Sequence, residues 1–221
     1  MVKNFERKFI MSRIMPVNRK CSVCGLESEQ RVLTSTNAFG SPDLDLRPPE
    51  MQRSTMPMWI QECPHCGYIS ESIDDETSIN KEFLKSEEYS SCSKNNFMSK
   101  LAEKFYKYYM INLLDDNEED AFYAILHAAW ACDDVNDYEK AVYCRKLAIV
   151  EIEKIIKNND NETLKLQKAD LLRRVGLFEK LIGEYSVLNF ADETLQKIII
   201  FQIRKAKDQN SDCYTVADAI K

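Results

Sequence analysis

The sequence predicts a mainly α-helical protein that carries a small β zinc ribbon near its N-terminus. Two Cys-x-x-Cys pairs lie within the first 70 residues, and all six prolines precede residue 74. The remaining chain has helical periodicity and no proline. We therefore expect a basic N-terminal arm at 1–20, a split zinc-ribbon domain at 21–73 and a helical domain at 74–221.

The predicted arm is the one basic region of an acidic chain. Six basic residues oppose a single glutamate in the first twenty positions, whereas the whole chain has a net charge of -6. Sequence-independent binding to phosphate backbones requires a basic excess, so nucleic acid is not the favoured partner. Binding of nucleic acid through the arm is kept as an alternative. The basic residues are Lys3, Arg7, Lys8, Arg13, Arg19 and Lys20.

The expected location is the cytoplasm. No apolar run approaches the roughly 20 residues that cross a bilayer, and charges interrupt the N-terminal segment where a signal peptide has an apolar block. We therefore expect no membrane partner. The eight cysteines do not predict a disulfide framework, because such frameworks occur in short secreted chains. Four cysteines occur singly and are expected to be small buried hydrophobes: Cys92, Cys132, Cys144 and Cys213.

The paired cysteines predict one structural zinc site. A Cys-x-x-Cys turn places two sulfurs about one tetrahedral edge apart, and "CSVCG" and "CPHCG" supply two such turns. The glycine after each pair allows the positive φ that closes the turn. The predicted ligands are Cys21, Cys24, Cys63 and Cys66. Four thiolates form a closed shell, and His65 between two ligands is expected to be a bystander.

The segment between the two pairs contains a candidate ligand site. In "SPDLDLRPPEMQR", Asp43, Asp45 and Arg47 alternate with leucines, so an extended chain would place the three charged groups on one face. Such a face could bind a ligand. Alternatively, an aspartate pairs with Arg47 or Arg53 and ties the long insert to the ribbon.

The C-terminal region is predicted to consist of successive helices. Asp137, Asn161 and Asp192 are the expected N-caps. The periodicity predicts helices at 76–90, 95–114, 118–134, 138–157, 162–175, 177–189 and 193–208, with a short helix near 215–220.

Two helix pairs share a pattern that is similar to the tetratricopeptide hairpin. In each, an aromatic residue, Tyr138 or Phe178, follows a short turn, and an apolar residue comes three positions later. The aromatics are 40 residues apart rather than about 34, so irregular hairpins and a plain helical bundle are both kept. Stacked hairpins would bury both aromatics and present Arg173 and Arg174 to a partner.

These motifs together resemble a bacterial family of unknown function. "CSVCG", then "FGSPDLDLRPPEMQRSTMPMWIQECPHCGY", then helices containing "ADLLRRVGLFEKLIGEY" are similar to its split zinc ribbon followed by tetratricopeptide-like helices. The resemblance implies zinc binding by the four paired cysteines and a bacterial cytosolic setting. It implies no reaction.

The expected function is that of a protein- or peptide-interaction module. Stacked helical hairpins provide extended grooves, and no catalytic set is recognisable. An enzyme with a site around Asp43–Arg47 is the weaker alternative, because His65 and His127 are the two histidines and neither is placed for catalysis. The sequence predicts neither the identity of a partner nor the oligomeric state.

Overall fold

The fold is mainly α, with two small antiparallel sheets near the N-terminus, as predicted. A computed structural model describes residues 12–92 and 96–221 of the chain. The first sheet pairs β1 (Arg13–Lys20) with β2 (Glu27–Ser35), and the second pairs β3 (Gln61–Glu62) with β4 (Ile69–Ser70). Each hairpin carries one cysteine pair at its tip, and we call these two hairpins together the ribbon.

The described part of the expected basic arm belongs to the ribbon. Arg13–Lys20 forms β1, and Pro16 is tolerated because a strand in a two-stranded sheet has one edge without a ladder. Arg19 pairs with Asp74 at 2.7 Å, shortly after the second hairpin. Lys3, Arg7 and Lys8 lie outside the described residues.

The insert between the hairpins packs against the helical region rather than extending from the ribbon. It contains α1 (Glu50–Arg53) and a 3-10 turn at Met56–Met58. The Leu44 amide donates to the Tyr214 carbonyl at 2.9 Å, and the Val216 amide donates to the Pro42 carbonyl at 2.9 Å. The insert therefore holds the C-terminal segment by backbone hydrogen bonds.

The single helix predicted at 76–90 is wrong. Two short helices, α2 (Lys81–Leu84) and α3 (Glu87–Ser91), stand there instead. The side chains of Asn80 and Ser86 each accept from the amide three residues later, at 2.9 and 3.2 Å. A cap at Ser86 requires an extended backbone there, which ends α2 and starts α3.

The other predicted helices are present within a few residues of their expected bounds. They are α4 (Lys100–Leu114), α5 (Glu118–Asp133), α6 (Tyr138–Asn158), α7 (Glu162–Arg174), α8 (Phe178–Tyr185), α9 (Glu193–Lys207) and α10 (Val216–Ala219). The predicted N-caps are confirmed, since Asp137, Asn161 and Asp192 each accept a hydrogen bond from a backbone amide in the first turn.

Helix α5 is the centre of the helical region. It packs between α4 and α6, α7 packs on α6 and α9, and α8 packs on α9. Five alanines of α5 are almost fully buried, and such small side chains permit close approach of the neighbouring helices. They are Ala121, Ala124, Ala128, Ala129 and Ala131.

One of the two expected hairpin aromatics is not buried. Tyr138 is 66% exposed, and its hydroxyl donates to the Asn136 side chain at 2.8 Å. It is the first residue of α6, so Asp137 caps the helix while Tyr138 remains outside the packed face. Phe178 is partly buried, whereas Ala141 and Leu181 three residues further on are fully buried. The buried small and apolar residues, rather than Tyr138, therefore fill the helix contacts.

The ribbon and the helices share one hydrophobic core. Tyr68, Ile69 and Ile73 are buried in the same cluster as Phe105 of α4. The Tyr89 hydroxyl of α3 also donates to the Gly67 carbonyl at 2.8 Å. The second hairpin is thus held directly against the helical region. Across the described ranges, no helix combines the length and the apolar character needed to traverse a lipid bilayer.

Candidate metal centre and charged cavity

The two cysteine turns have the same backbone geometry. In the first, the Cys21 amide donates to Leu26 at 2.9 Å and the Gly25 amide donates to Cys21 at 2.8 Å. The second repeats this pattern between Cys63 and Tyr68 and between Gly67 and Cys63, at 2.8 and 2.9 Å. Gly25 and Gly67 have φ values of 77° and 76°, in the left-handed region that favours glycine. Both turns therefore close as the sequence predicts.

The four sulfurs form a cluster that could hold a metal ion. The Sγ atoms of Cys21, Cys24, Cys63 and Cys66 all lie within 4.8 Å of one another. Sulfurs of opposite hairpins are 3.7 Å apart for Cys21 and Cys66 and 3.6 Å apart for Cys24 and Cys63. A tetrahedron with metal–sulfur distances of about 2.3 Å has edges of about 3.8 Å, so these residues fit a tetrahedral thiolate site. None of the four is in a disulfide.

The surroundings of the Cys24 and Cys66 thiols differ. Burial raises the pKa of Cys66 well above its ordinary value. At Cys24, burial also acts to raise the pKa, but hydrogen bonds from the Leu26 amide and from neighbouring thiols outweigh it and lower the pKa. A metal must displace protons from such thiols, so binding is coupled to pH. The exposed His65 ring lies within 3.2 Å of the Glu27 carbonyl, outside the sulfur cluster.

A second candidate site is a cavity of about 490 Å³ lined by four arginines, which we call the charged cavity. The insert, α6, α7 and the C-terminal segment all contribute to its wall. Its charged residues are Asp43, Arg47, Arg53, Asp133, Arg145, Arg174 and Asp212.

Asp133, the last residue of α5, is the main anion of this cavity. Both oxygens accept from Arg145, which donates from two nitrogens, and the Arg174 guanidinium donates at 3.2 Å. Burial acts to raise the pKa of Asp133, but the hydrogen bonds from Arg145 and the charges of Arg145, Arg174 and Arg47 outweigh it and lower the pKa. Asp133 is therefore charged at neutral pH and joins α5 to α6 and α7.

The insert reaches the same cavity through two further ion pairs. Arg47 donates to both oxygens of Asp134 at 2.6 and 2.7 Å, and Arg53 donates to Asp43 at 2.8 Å. Asp45 lies deeper, where its carboxylate accepts from the Trp130 indole at 2.7 Å. The contacts of Arg47 and Asp45 tie the insert to α5 and its C-cap, whereas the Arg53–Asp43 pair holds two parts of the insert together.

This segment does not have the extended conformation that would place the three charged groups on one face, whereas the alternative pairing of an aspartate with an arginine is present between Asp43 and Arg53. The Leu46 amide donates to the Asp43 carbonyl and the Asp43 amide donates to the Arg47 carbonyl, each at 2.9 Å, so residues 43–47 form a tight turn. Leu46 has a φ of 66°, which no extended strand contains. The turn directs Asp45 to Trp130, whereas Asp43 and Arg47 line the charged cavity.

Arg173 and Arg174 have different environments although they are adjacent in sequence. Arg173 is fully buried and donates to the carbonyls of Asn210 and Asp212 at 3.1 and 2.7 Å and to Asp170 at 2.5 Å. It fixes the C-terminal segment and does not offer the surface contact that the hairpin hypothesis expected of it. Arg174 lines the charged cavity.

Two guanidinium groups of the charged cavity are incompletely paired. Arg47 and Arg145 are 5% and 2% exposed, and the Nε of each is buried without a hydrogen-bond acceptor in the described part of the chain. Buried donors are normally paired. The Nε atoms of Arg19 and Arg173, which do not line this cavity, also lack an acceptor among the described residues, so the open volume beside Arg47 and Arg145 is what distinguishes a site that could accept further anionic or carbonyl oxygens.

Asp133, Asp134 and Arg145 were not predicted from the sequence as site residues. One signal was present for Arg145, because it falls within the buried face of α6 that includes Ala141, Cys144 and Ala148. A cation on an apolar helix face requires a buried partner. The two aspartates also end a helix, where negative charge is unfavourable unless it is neutralised.

Comparison of the chain with protein-family models, with curated proteins and with solved structures finds no match. The resemblance to a bacterial zinc-ribbon family therefore stays a prediction, and the proposed function rests on the geometry of the two candidate sites.

Proposed function

We propose that this protein is a non-catalytic interaction module in which a structural zinc holds the ribbon together and the charged cavity binds an acidic segment of a partner protein or peptide. Bacterial origin and a cytoplasmic location are parts of the same proposal and rest on the ribbon resemblance and on composition.

A structural role for zinc is supported by the donor set. Cys21, Cys24, Cys63 and Cys66 would hold the ion, and four thiolates leave no coordination position for water or a substrate. Zinc bound there would cross-link the two hairpins, of which the second has strands, β3 and β4, of only two residues each. Such short strands provide little stability of their own.

The partner site is supported mainly by the unpaired guanidinium donors at the charged cavity. Four arginines and three aspartates line it, and Arg47 is further neutralised by Asp134. The site is therefore close to neutral in total, but the Nε atoms of Arg47 and Arg145 have no acceptor among the described residues. A carboxylate or a backbone carbonyl of a peptide would supply one, provided that the guanidinium groups rotate toward it.

The enzyme alternative has less support at this cavity. No histidine lines it, and its carboxylates at Asp43 and Asp133 are engaged by arginines. Cys213, which was expected to be buried, is exposed as a residue, but burial of its thiol group raises the pKa of that thiol to about 12, so it is protonated at neutral pH and is a weak nucleophile. The cavity has binding groups but no activated group.

The proposal is tested by selecting peptides from a random 12-residue display library on the zinc-loaded protein. We expect selected peptides to be enriched in Asp and Glu and to lose at least about tenfold in affinity for an Arg53→Gln, Arg174→Gln double variant, on the scale of one or two charge-assisted hydrogen bonds. The matched control is Arg204→Gln, which removes an exposed arginine that makes no ion pair among the described residues.

Selection of no peptide, or of peptides that bind the double variant as tightly as the control, would overturn the proposed peptide site. The nucleic-acid alternative is tested in parallel with labelled single-stranded RNA and duplex DNA. Binding whose affinity falls steeply with salt and that survives the double variant would favour that alternative instead.

A further inference from the structure

A second cavity, of about 330 Å³, lies between the ribbon and the first long helices, and we call it the aromatic cavity. Trp59 follows the 3-10 turn, Phe105 and Tyr108 come from α4, and Tyr123 and His127 come from α5. Five rings from three parts of the chain therefore line one space. The charged cavity is lined by a different set of residues.

His127 contributes a neutral ring to this wall. Its centroid lies 5.0 Å from that of Trp59 and 5.1 Å from that of Phe105. Burial, with the charge of Arg47 as a second cause, lowers the pKa of His127 to about 3. The imidazole is therefore uncharged at neutral pH and neither repels a cation nor neutralises an anion in the cavity.

Two carboxylates also line the aromatic cavity, Glu71 and Asp120. Neither forms an ion pair with any lysine or arginine of the described ranges, although most buried or half-buried carboxylates of this protein do. Glu71 as a residue is exposed, but burial of its carboxyl group, followed by the charge of Asp120, raises its pKa. Asp120 lies in the first turn of α5 and accepts from the Asn117 side-chain amide at 2.6 Å, but neither carboxylate has a lysine or arginine partner within the described residues, so the cavity carries negative charge without a cationic side chain beside it.

The missing counterion is better matched by an organic cation than by a metal ion. Within 12–92 and 96–221, the four paired cysteines are the one group of His, Cys, Asp and Glu ligands close enough to hold a metal, so Glu71, Asp120 and His127 do not converge on a common point. Aromatic rings attract ammonium groups through their quadrupole, and a cavity of this size accommodates a small molecule or one long side chain.

We propose that the aromatic cavity binds an alkylammonium group, which packs its carbon atoms against the partly exposed rings of Trp59 and Tyr123 and places its charge near Glu71 and Asp120. The group is carried either by a free small amine or by a lysine side chain of a partner, and both sources present the same chemistry. This inference does not depend on the proposed peptide site in the charged cavity.

The test uses choline and its uncharged isostere 3,3-dimethylbutan-1-ol, titrated into the zinc-loaded protein. The indole N–H signal of Trp59 in ¹H–¹⁵N spectra reports on the cavity, and that of Trp130, which does not line it, is an internal reference. We expect saturable shifts at Trp59 with choline and an affinity for the isostere at least about tenfold weaker, as a lost cation–π and ion-pair contribution implies. Equal affinity for both compounds, or shifts with neither, would overturn the proposal.

Glu71→Gln is expected to weaken choline binding about fivefold to tenfold without altering the fold, because Glu71 is exposed as a residue. Glu76→Gln, an exposed glutamate outside the aromatic cavity, is the matched control and should bind as the wild type does. Equal effects of the two substitutions would contradict the site.

Titration with n-butylamine and with a blocked lysine-containing tripeptide then separates the two sources of the alkylammonium group. Tighter binding of the tripeptide assigns the site to a partner's lysine, and tighter binding of the amine assigns it to a free ligand.

Discussion

Replacing Asp133 by asparagine removes the charge on which α5, α6 and α7 converge. The asparagine side chain would retain the size of the original and one acceptor oxygen, but Arg145 and Arg174 would lose their anionic partner. Arg145 is 2% exposed and Arg174 is 11% exposed in their side chains, so neither guanidinium can regain full hydration without moving. The substitution therefore tests whether the charged cavity holds these helices together.

The expected loss follows from this burial. Breaking a buried ion pair by removing one partner costs about 3–5 kcal/mol. Asp133 keeps 18% of its side-chain exposure, and the asparagine oxygen preserves part of one hydrogen bond. We therefore expect a loss of about 2–3 kcal/mol in the free energy of unfolding, or about 5–10 °C in Tm for a chain of this length.

Urea unfolding of the zinc-loaded protein at pH 7, followed by circular dichroism, measures this loss. The matched control is Asp208→Asn, because Asp208 also lies at a helix C-terminus but is exposed and forms no ion pair within the described residues. The control should be neutral or slightly stabilising, since it removes negative charge from the negative end of the helix dipole. A loss below about 1 kcal/mol for Asp133→Asn, or equal losses for both variants, would refute the reasoning.

The loss should also depend on pH. The pKa of Asp133 in the folded protein lies below its ordinary value of 3.8, so its contribution to stability is complete above that value and disappears as the pH falls through the folded pKa. The difference in stability between the wild type and Asp133→Asn should therefore be largest near neutral pH and shrink below about pH 4. A difference that stays constant throughout would show that the charge of Asp133 is not its source.

Three further predictions concern the turns, the core and the thiols. Gly67→Ala should lower the free energy of unfolding by about 1–2 kcal/mol through its positive φ alone, because an added Cβ meets no atom within 4 Å. Gly183→Ala inside α8 should instead raise the free energy of unfolding by about 0.5–1 kcal/mol, and thermal unfolding compares the two variants. By the same assay, Phe122→Ala should lower the free energy of unfolding by about 3–5 kcal/mol, because the Phe122 side chain is fully buried. Tyr138→Ala should lower it by less than about 0.5 kcal/mol, because Tyr138 is 66% exposed. In the zinc-loaded protein, iodoacetamide at pH 7.5 should alkylate Cys213 before the buried cysteines. It should alkylate Cys213 more slowly than it alkylates free glutathione, because burial of the thiol raises the pKa of Cys213 to about 12. Mass spectrometry of timed samples measures both rates, and equal rates for Cys213 and glutathione would contradict the prediction.

The cluster of four cysteines could be predicted because its information is local. Each Cys-x-x-Cys-Gly turn fixes its own geometry, and the two turns need only meet, so the four cysteines of the candidate site were identifiable without knowledge of the fold. Helix positions after residue 95 were also predictable from periodicity and from caps such as Asp137. The break between α2 and α3 was missed because the cap at Ser86 outweighed the helical pattern around it.

The charged cavity could not be predicted as a unit. Its members come from positions as far apart as Asp43 and Cys213, and their meeting depends on how the insert docks on α5 and on the C-terminal segment. The alternation of charges around Arg47 left an extended face open as one alternative, but the Leu44 amide donates to the Tyr214 carbonyl and the chain turns at residues 43–47. Exposure of Arg173 and burial of Tyr138 were inferred from an idealised hairpin, and the packing of these helices differs from it.

The most direct test of the account is the metal content and coordination of freshly reduced protein. Elemental analysis with native mass spectrometry should find one zinc per chain, and X-ray absorption at the zinc edge should find four sulfur ligands at about 2.3 Å with no oxygen or nitrogen neighbour at bonding distance. Replacement of Cys63 by serine should abolish the stoichiometric zinc and loosen the ribbon. Protein without bound metal, a disulfide between Cys21 and Cys24 or between Cys63 and Cys66, or a coordination shell containing water would contradict a closed structural zinc site.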